Sequence, residues 1–125
     1  MEQHLGIAIN ELHEKAMSLA DEAFYAKQRQ DSALAQSKYL EAFEYEKAAA
    51  MLLIHEYGQE PSRSVLFRSA ACLLLNLPHP EAGHLRRAEQ MVAYGLSGNP
   101  PASILEELRE VWQELNASFA VQTAG

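Results

Sequence analysis

The chain has 125 residues, enough for one domain with a core of its own. Apolar residues make up 48% of it, too many for a disordered acidic tail, and 10 Lys and Arg against 17 Asp and Glu leave a net charge of −7. That balance argues against a bare phosphate backbone as partner, because such binding rests on basic side chains neutralising phosphates.

Residues 1 to 60 contain no proline and little strand signal, whereas helical spacing runs almost throughout. The first ten residues place an acid ahead of the apolar positions and have no basic stretch, so no signal peptide is expected there. From Leu5 the apolar positions are Leu5, Ile9, Leu12, Ala16, Leu19, Ala23 and Ala26, one continuous stripe that predicts a first helix over about 4 to 29. Asp31 is suited to cap a second helix. Its inward face reads Ala35, Tyr39, Ala42, Phe43, Ala49, Ala50 and Leu53, with Glu46 expected at the margin and its head in water. Gly58 is the natural stop, which carries this helix to about Tyr57.

Pro61 fits the first turn of a third helix, where its missing N–H costs nothing. Leu66, Ala70, Leu73 and Leu77, flanked by Leu74 and Leu75, make that helix apolar over more than half its circumference and place it at the centre of the fold. Cys72 lies in this run and is expected to pack as a small hydrophobe; as the only cysteine it allows no internal disulfide, and the composition suits a reducing cytoplasm. "LPHPEAGH" breaks the helix. A fourth follows with Leu85, Ala88, Val92, Gly95 and Leu96 inward. After "SGNPPAS" a fifth begins near Ala102 with Ile104, Leu105, Leu108, Val111, Trp112, Leu115 and Phe119 inward, leaving "VQTAG" as a frayed tail. About five helices joined by short turns predict an all-α domain over 1–125 with antiparallel neighbours, and no apolar run approaches the ~20 residues of a membrane span.

Small alanines at 33, 35 and 42 beside rings at 39, 43 and 45 suit either helix-on-helix packing or a ligand pocket, and packing is the better supported. With the turn "QRQD" between two helices, Leu19, Ala23, Ala35, Tyr39 and Ala42 resemble a tetratricopeptide repeat, a helix pair with small residues at the close contact and aromatic residues interlocking. Lys47 stands where the family closes on proline. A weaker copy can be laid on Leu66, Ala70, Leu73, Ala88, Val92, Gly95 and Pro100, with about six extra residues looped out near "PHPEAG". The resemblance implies copies at 16–57 and 62–100, a right-handed stack of helical hairpins and a capping helix at 102–119. It also implies a protein or peptide partner on a concave face lined by Asp21, Phe24, Lys27 and Gln28 from the first copy and Ser64, Phe67, Arg68, Ala71 and Leu75 from the second. Phe24 and Phe67 would be exposed anchors in a mildly basic groove. A clamp for a C-terminal carboxylate is not implied, because Phe24 replaces the asparagine it needs.

Residues 61–99 carry Arg63, Arg68, Arg86 and Arg87 against Glu81 and Glu89, a net of +2, which leaves −9 for the remainder. That asymmetry slightly favours an acidic peptide partner, and ordinary solvated charge is the better-supported reading. The same aromatic residues could instead lie in the core or form a homodimer contact. The five histidines (4, 13, 55, 79 and 84) form no HExxH, and His79 and His84 beside a loop are expected in water. Glu41 and Glu44 read as a solvated face, and no glycine-rich phosphate loop or nucleophile motif occurs. Neither an enzyme nor a cofactor is expected.

Overall fold

In the computed structural model, which describes residues 3–124 and the side chains of 4–121, all regular structure is helical. The helices are α1 (Gln3–Gln28), α2 (Ser32–Met51), α3 (Ser62–Leu75), α4 (Ala82–Leu96) and α5 (Ala102–Ala124). Each packs on the next in sequence, and α5 also packs on α3. Met1, Glu2 and Gly125, the ends of the expected 1–125 domain, lie outside the described residues. The backbone of α5 stays helical through Ala124, well into the tail expected to fray.

Alanine brings the first two helices together. Ala16, Ala23 and Ala26 of α1 and Ala35, Ala42, Ala49 and Ala50 of α2 are all buried, as are Tyr39 and Phe43 of α2. His13 meets Glu46, Lys15 lies over Tyr45 and Glu22 reaches Lys38, so contacts descend α2 as they climb α1, as in a helical hairpin. The turn is tight. The Asp31 N–H bonds to Ala26 O (2.9 Å) and the Gln30 N–H to Lys27 O (3.0 Å), with Gln30 at φ 63°, a left-handed C-terminal cap made without glycine. Asp31 Oδ1 then accepts the Leu34 N–H at 3.2 Å and opens α2 as expected.

The end of α2 differs from expectation. It stops at Met51 rather than near Tyr57, and Gly58 caps nothing. The chain continues in single tight turns, with the N–H groups of Leu53, Ile54 and Glu56 bonding three residues back. Within this segment Ile54 O accepts Arg63 Nε (3.2 Å) and Nη2 (3.0 Å), so a tertiary contact holds the turns that follow the helix.

Arg63 is fully buried. Its Nη1 donates to Tyr94 O at 2.8 Å and its Nη2 to Ser97 Oγ at 3.4 Å, while the rings of Tyr57 and Phe67 lie 4.9 and 5.2 Å from the guanidinium carbon. The cation therefore rests on the Ile54 carbonyl and on the Tyr94 carbonyl at the negative end of α4 rather than on a carboxylate. Glu60 completes the junction: Oε1 accepts the Ser64 N–H at the start of α3 (2.9 Å) and Oε2 the Asn99 N–H beyond α4 (3.2 Å). A Cβ at Gly98 would run into Arg63 Nη1, which is why glycine stands there.

The core centres on α3, as expected: Leu66, Phe67, Ala70, Ala71, Leu73 and Leu74 are buried, and Leu77 just beyond it. Leu85, Ala88, Met91 and Val92 of α4 and Leu108, Val111 and Leu115 of α5 close it. Gly95 allows a close approach, since a Cβ there would sit 3.1 Å from Leu108 Cδ2 and 3.4 Å from Phe67 Cβ. Leu96 at the last position of α4 and Trp112 on α5, both expected inward, are partly exposed; for Trp112 this follows because α5 is covered only on the side of α3 and α4. No helix among the described residues is long and apolar enough to cross a membrane.

Candidate functional site

The least covered side of α3 carries half-buried Ser69 and Cys72, with exposed Asn76 just past its end, spaced three and four residues apart on one face. A hollow opens on each flank of this stripe. On the α1 flank, Phe24, Lys27, Gln28, Tyr39 and Asn76 surround about 300 Å³. On the α5 flank, Arg68, Ser69, Cys72, Glu107, Glu110, Val111 and Glu114 surround about 360 Å³.

The first hollow is aromatic. Phe24 is 50% exposed at its lip and meets Tyr25, 61% exposed, edge to face with centroids 5.8 Å apart. Tyr39 lies at its base, where burial pushes its hydroxyl pKa up. Lys27 Nζ donates to Asn76 O at 3.0 Å and stands 5.9 Å from the Tyr39 ring centre. One lysine thus ties the end of α1 to the end of α3, where a cation suits the helix dipole.

The second hollow is acidic. Arg68 is ion-paired with Glu107, while neither Glu110 nor Glu114 has an ion-pair partner among the described residues. Burial raises the Cys72 thiol pKa, the Arg68 charge opposes this, and Glu114 and Glu107 add to the rise. The mildly basic groove expected from Lys27 and Arg68 is therefore not what the chain builds. Arg68 is engaged by Glu107, and α5 supplies two further glutamates at helical spacing.

The expected site residues divide sharply. Phe24, Lys27 and Gln28 come together at the first hollow, and Asp21 is exposed on the same helix. Arg68 lines the second hollow, and Leu75 is half-buried against the core. Phe67, expected as an exposed anchor, is fully buried between Arg63, Tyr94 and Gly95. Ser64 and Ala71 are buried as well. These three fall on the inner side of α3 because a helix in the middle of a fold has only one narrow free face. Tyr39, Ser69, Cys72, Asn76, Glu110 and Glu114 were not anticipated as site residues. The signal for the α3 stripe was present as Cys72 and Asn76, the non-leucine positions one turn apart in "CLLLNL".

Glu46 departs most from expectation. It is fully buried, accepts from His13 Nδ1 (2.9 and 3.0 Å to its two oxygens) and accepts a hydrogen bond from the Ser69 hydroxyl at 2.5 Å, linking α1, α2 and α3. The three side chains resemble a nucleophile–base set in composition only. The carboxylate lies between serine and histidine, so the imidazole is not placed to take the serine proton. Of the expected loop histidines, His84 Nδ1 accepts the Glu81 N–H at 3.0 Å at the start of α4, and the His79 backbone is held by Gln36 through two 3.0 Å bonds. Glu41 and Glu44 are exposed as expected, and Glu44 pairs with Arg87 at 3.3 Å. Among the described residues no three His, Cys, Asp or Glu side chains converge as a metal site requires. The chain matches no protein-family model, no curated protein and no solved structure.

Proposed function

We propose that the protein is a non-catalytic adaptor of the cytoplasm that binds a protein or peptide segment in the groove over α3. It is built in the manner of a tetratricopeptide stack, with α1–α2 and α3–α4 as the two hairpins and α5 as the cap. Three features support the architecture. The small positions Ala23, Ala35 and Ala42 are buried at the α1–α2 contact. Odd-numbered helices meet one another through Lys27 to Asn76 O and Arg68 to Glu107. Even-numbered helices meet through Arg87 and Glu44. The observation that carries the binding reading is Phe24, a large ring left half-exposed at the rim of a hollow. Aromatic residues in such positions commonly dominate binding energy.

The test is Phe24→Ala in the full chain, with peptides selected on the wild type from a random display library as probes. A variant with unchanged helical circular dichroism should lose at least about tenfold in affinity. Equal affinity would reject the groove.

The exposed Phe24–Tyr25 pair also favours a second reading, self-association of two copies through this patch. Light scattering coupled to size exclusion separates the two. A mass near 28 kDa, twice the 13.9 kDa chain, that reverts to monomer in Phe24→Ala supports the dimer, and a monomer at every concentration removes it.

A further inference from the structure

The two hollows differ in chemistry, and their order along the groove specifies a partner. We infer that the groove takes an extended segment carrying an apolar side chain and, three or four residues away, a lysine or arginine. This inference rests on the groove reading proposed above and adds the partner's chemistry and polarity to it.

The apolar end is set by Phe24 and Tyr39, whose rings wall the α1 hollow. Its one cation, Lys27, is engaged by Asn76 O and repels a basic side chain at that end. The basic end is set by α5. Glu107, Glu110 and Glu114 line the other hollow against Arg68 alone, and Glu107 already neutralises Arg68. Glu110 and Glu114 are exposed, have no ion-pair partner among the described residues, and are available to an incoming cation. The whole chain, at −7, adds a long-range field of the same sign. Val111 and Cys72 give the stem of a lysine or arginine an apolar bed beneath the carboxylates.

The spacing follows from helix geometry. Asn76 marks the first hollow, and Arg68, Ser69 and Cys72 the second. Their separation along α3 is roughly 9 Å at 1.5 Å per residue. The hollows lie on opposite flanks of α3, which adds a lateral offset of about one interhelix distance, ~8–10 Å. The path is therefore about 12 Å, which an extended chain covers in three or four residues at roughly 3.3–3.6 Å each.

The experiment uses the full chain and a random heptapeptide display library, with fluorescence polarisation of the enriched peptides on wild type, Phe24→Ala and the double variant Glu110→Lys with Glu114→Lys. Circular dichroism checks that each variant is folded. The expected peptides carry Lys or Arg three or four positions from an aromatic or aliphatic residue. They bind the double variant at least about tenfold more weakly and lose affinity with added salt. Exchanging the peptide's basic residue for glutamate should weaken binding to wild type and restore it on the double variant. Peptides that need Phe24 but ignore the charge reversal would overturn this inference and leave the groove standing. If no peptide is enriched, or the enriched ones bind Phe24→Ala equally, the groove and the inference fall together.

Discussion

Arg63 shows how much one residue can decide. Its guanidinium holds the segment after α2 and the end of α4 together with four hydrogen bonds while out of contact with water. Lysine keeps the charge but cannot present the planar fork to Ile54 and Tyr94 at once. Arg63→Lys should therefore cost at least about 2 kcal/mol, seen as a lower urea midpoint at unchanged slope. A midpoint equal to wild type would show that the lock contributes little. Cys72 gives a pH test. Its thiol is raised by burial, with Arg68 opposing and Glu114 and Glu107 adding. A raised folded pKa contributes stability below the unfolded value and loses it as pH rises through the folded one, here above roughly pH 8.5. Alkylation by iodoacetamide should accordingly inflect at higher pH in the native chain than in urea. Coincident profiles would mean that the native surroundings do not act on the thiol.

At the scale of elements, the alanine face of α1 and α2 is the clearest case of sequence pattern becoming structure. Every alanine on the predicted stripes is buried, because only a side chain of that size lets two helix backbones come close. Ala42→Leu should force the pair apart and cost about 1–3 kcal/mol in urea unfolding, where the same change at exposed Ala48 should be near neutral. Comparable losses at both positions would mean that the contact is looser than the burial implies. Starts and stops were not equally legible. The start of α2 at Asp31 could be read, since capping is a local hydrogen bond. Its end could not, because the tight turns that replace the helix after Met51 are held by an arginine on another element, nine residues from the Ile54 carbonyl it binds. The candidate site divides in the same way. Phe24, Lys27 and Gln28 lie on a helix that packs chiefly on one neighbour, so the face opposite the alanine stripe remains open. Phe67 lies on a helix packed against α2, α4 and α5, where helical spacing alone does not reveal which narrow strip stays uncovered.

At the scale of the whole molecule, two buried charged residues tie the helices into one unit. Glu46 joins α1, α2 and α3, and Arg63 joins the segment after α2, α3 and the end of α4. A stack held only by neighbour contacts could lose its first hairpin separately. With these cross-ties, thermal unfolding should be a single transition with calorimetric and van't Hoff enthalpies equal. A van't Hoff value well above or below the calorimetric one would show association or stepwise melting instead. The amino-acid sequence by itself determined the all-α class, the number of helices, the alanine contact and the central place of α3, since each follows from local periodicity and the need to bury an apolar stripe. Only the tertiary structure decided where α2 ends, that Phe67, Arg63 and Glu46 are inside, and that the hollow on the α1 flank of α3 is aromatic while the one on the α5 flank is acidic. Those outcomes depend on which side chains from distant segments arrive at the same point, and spacing along one helix carries no record of its neighbours.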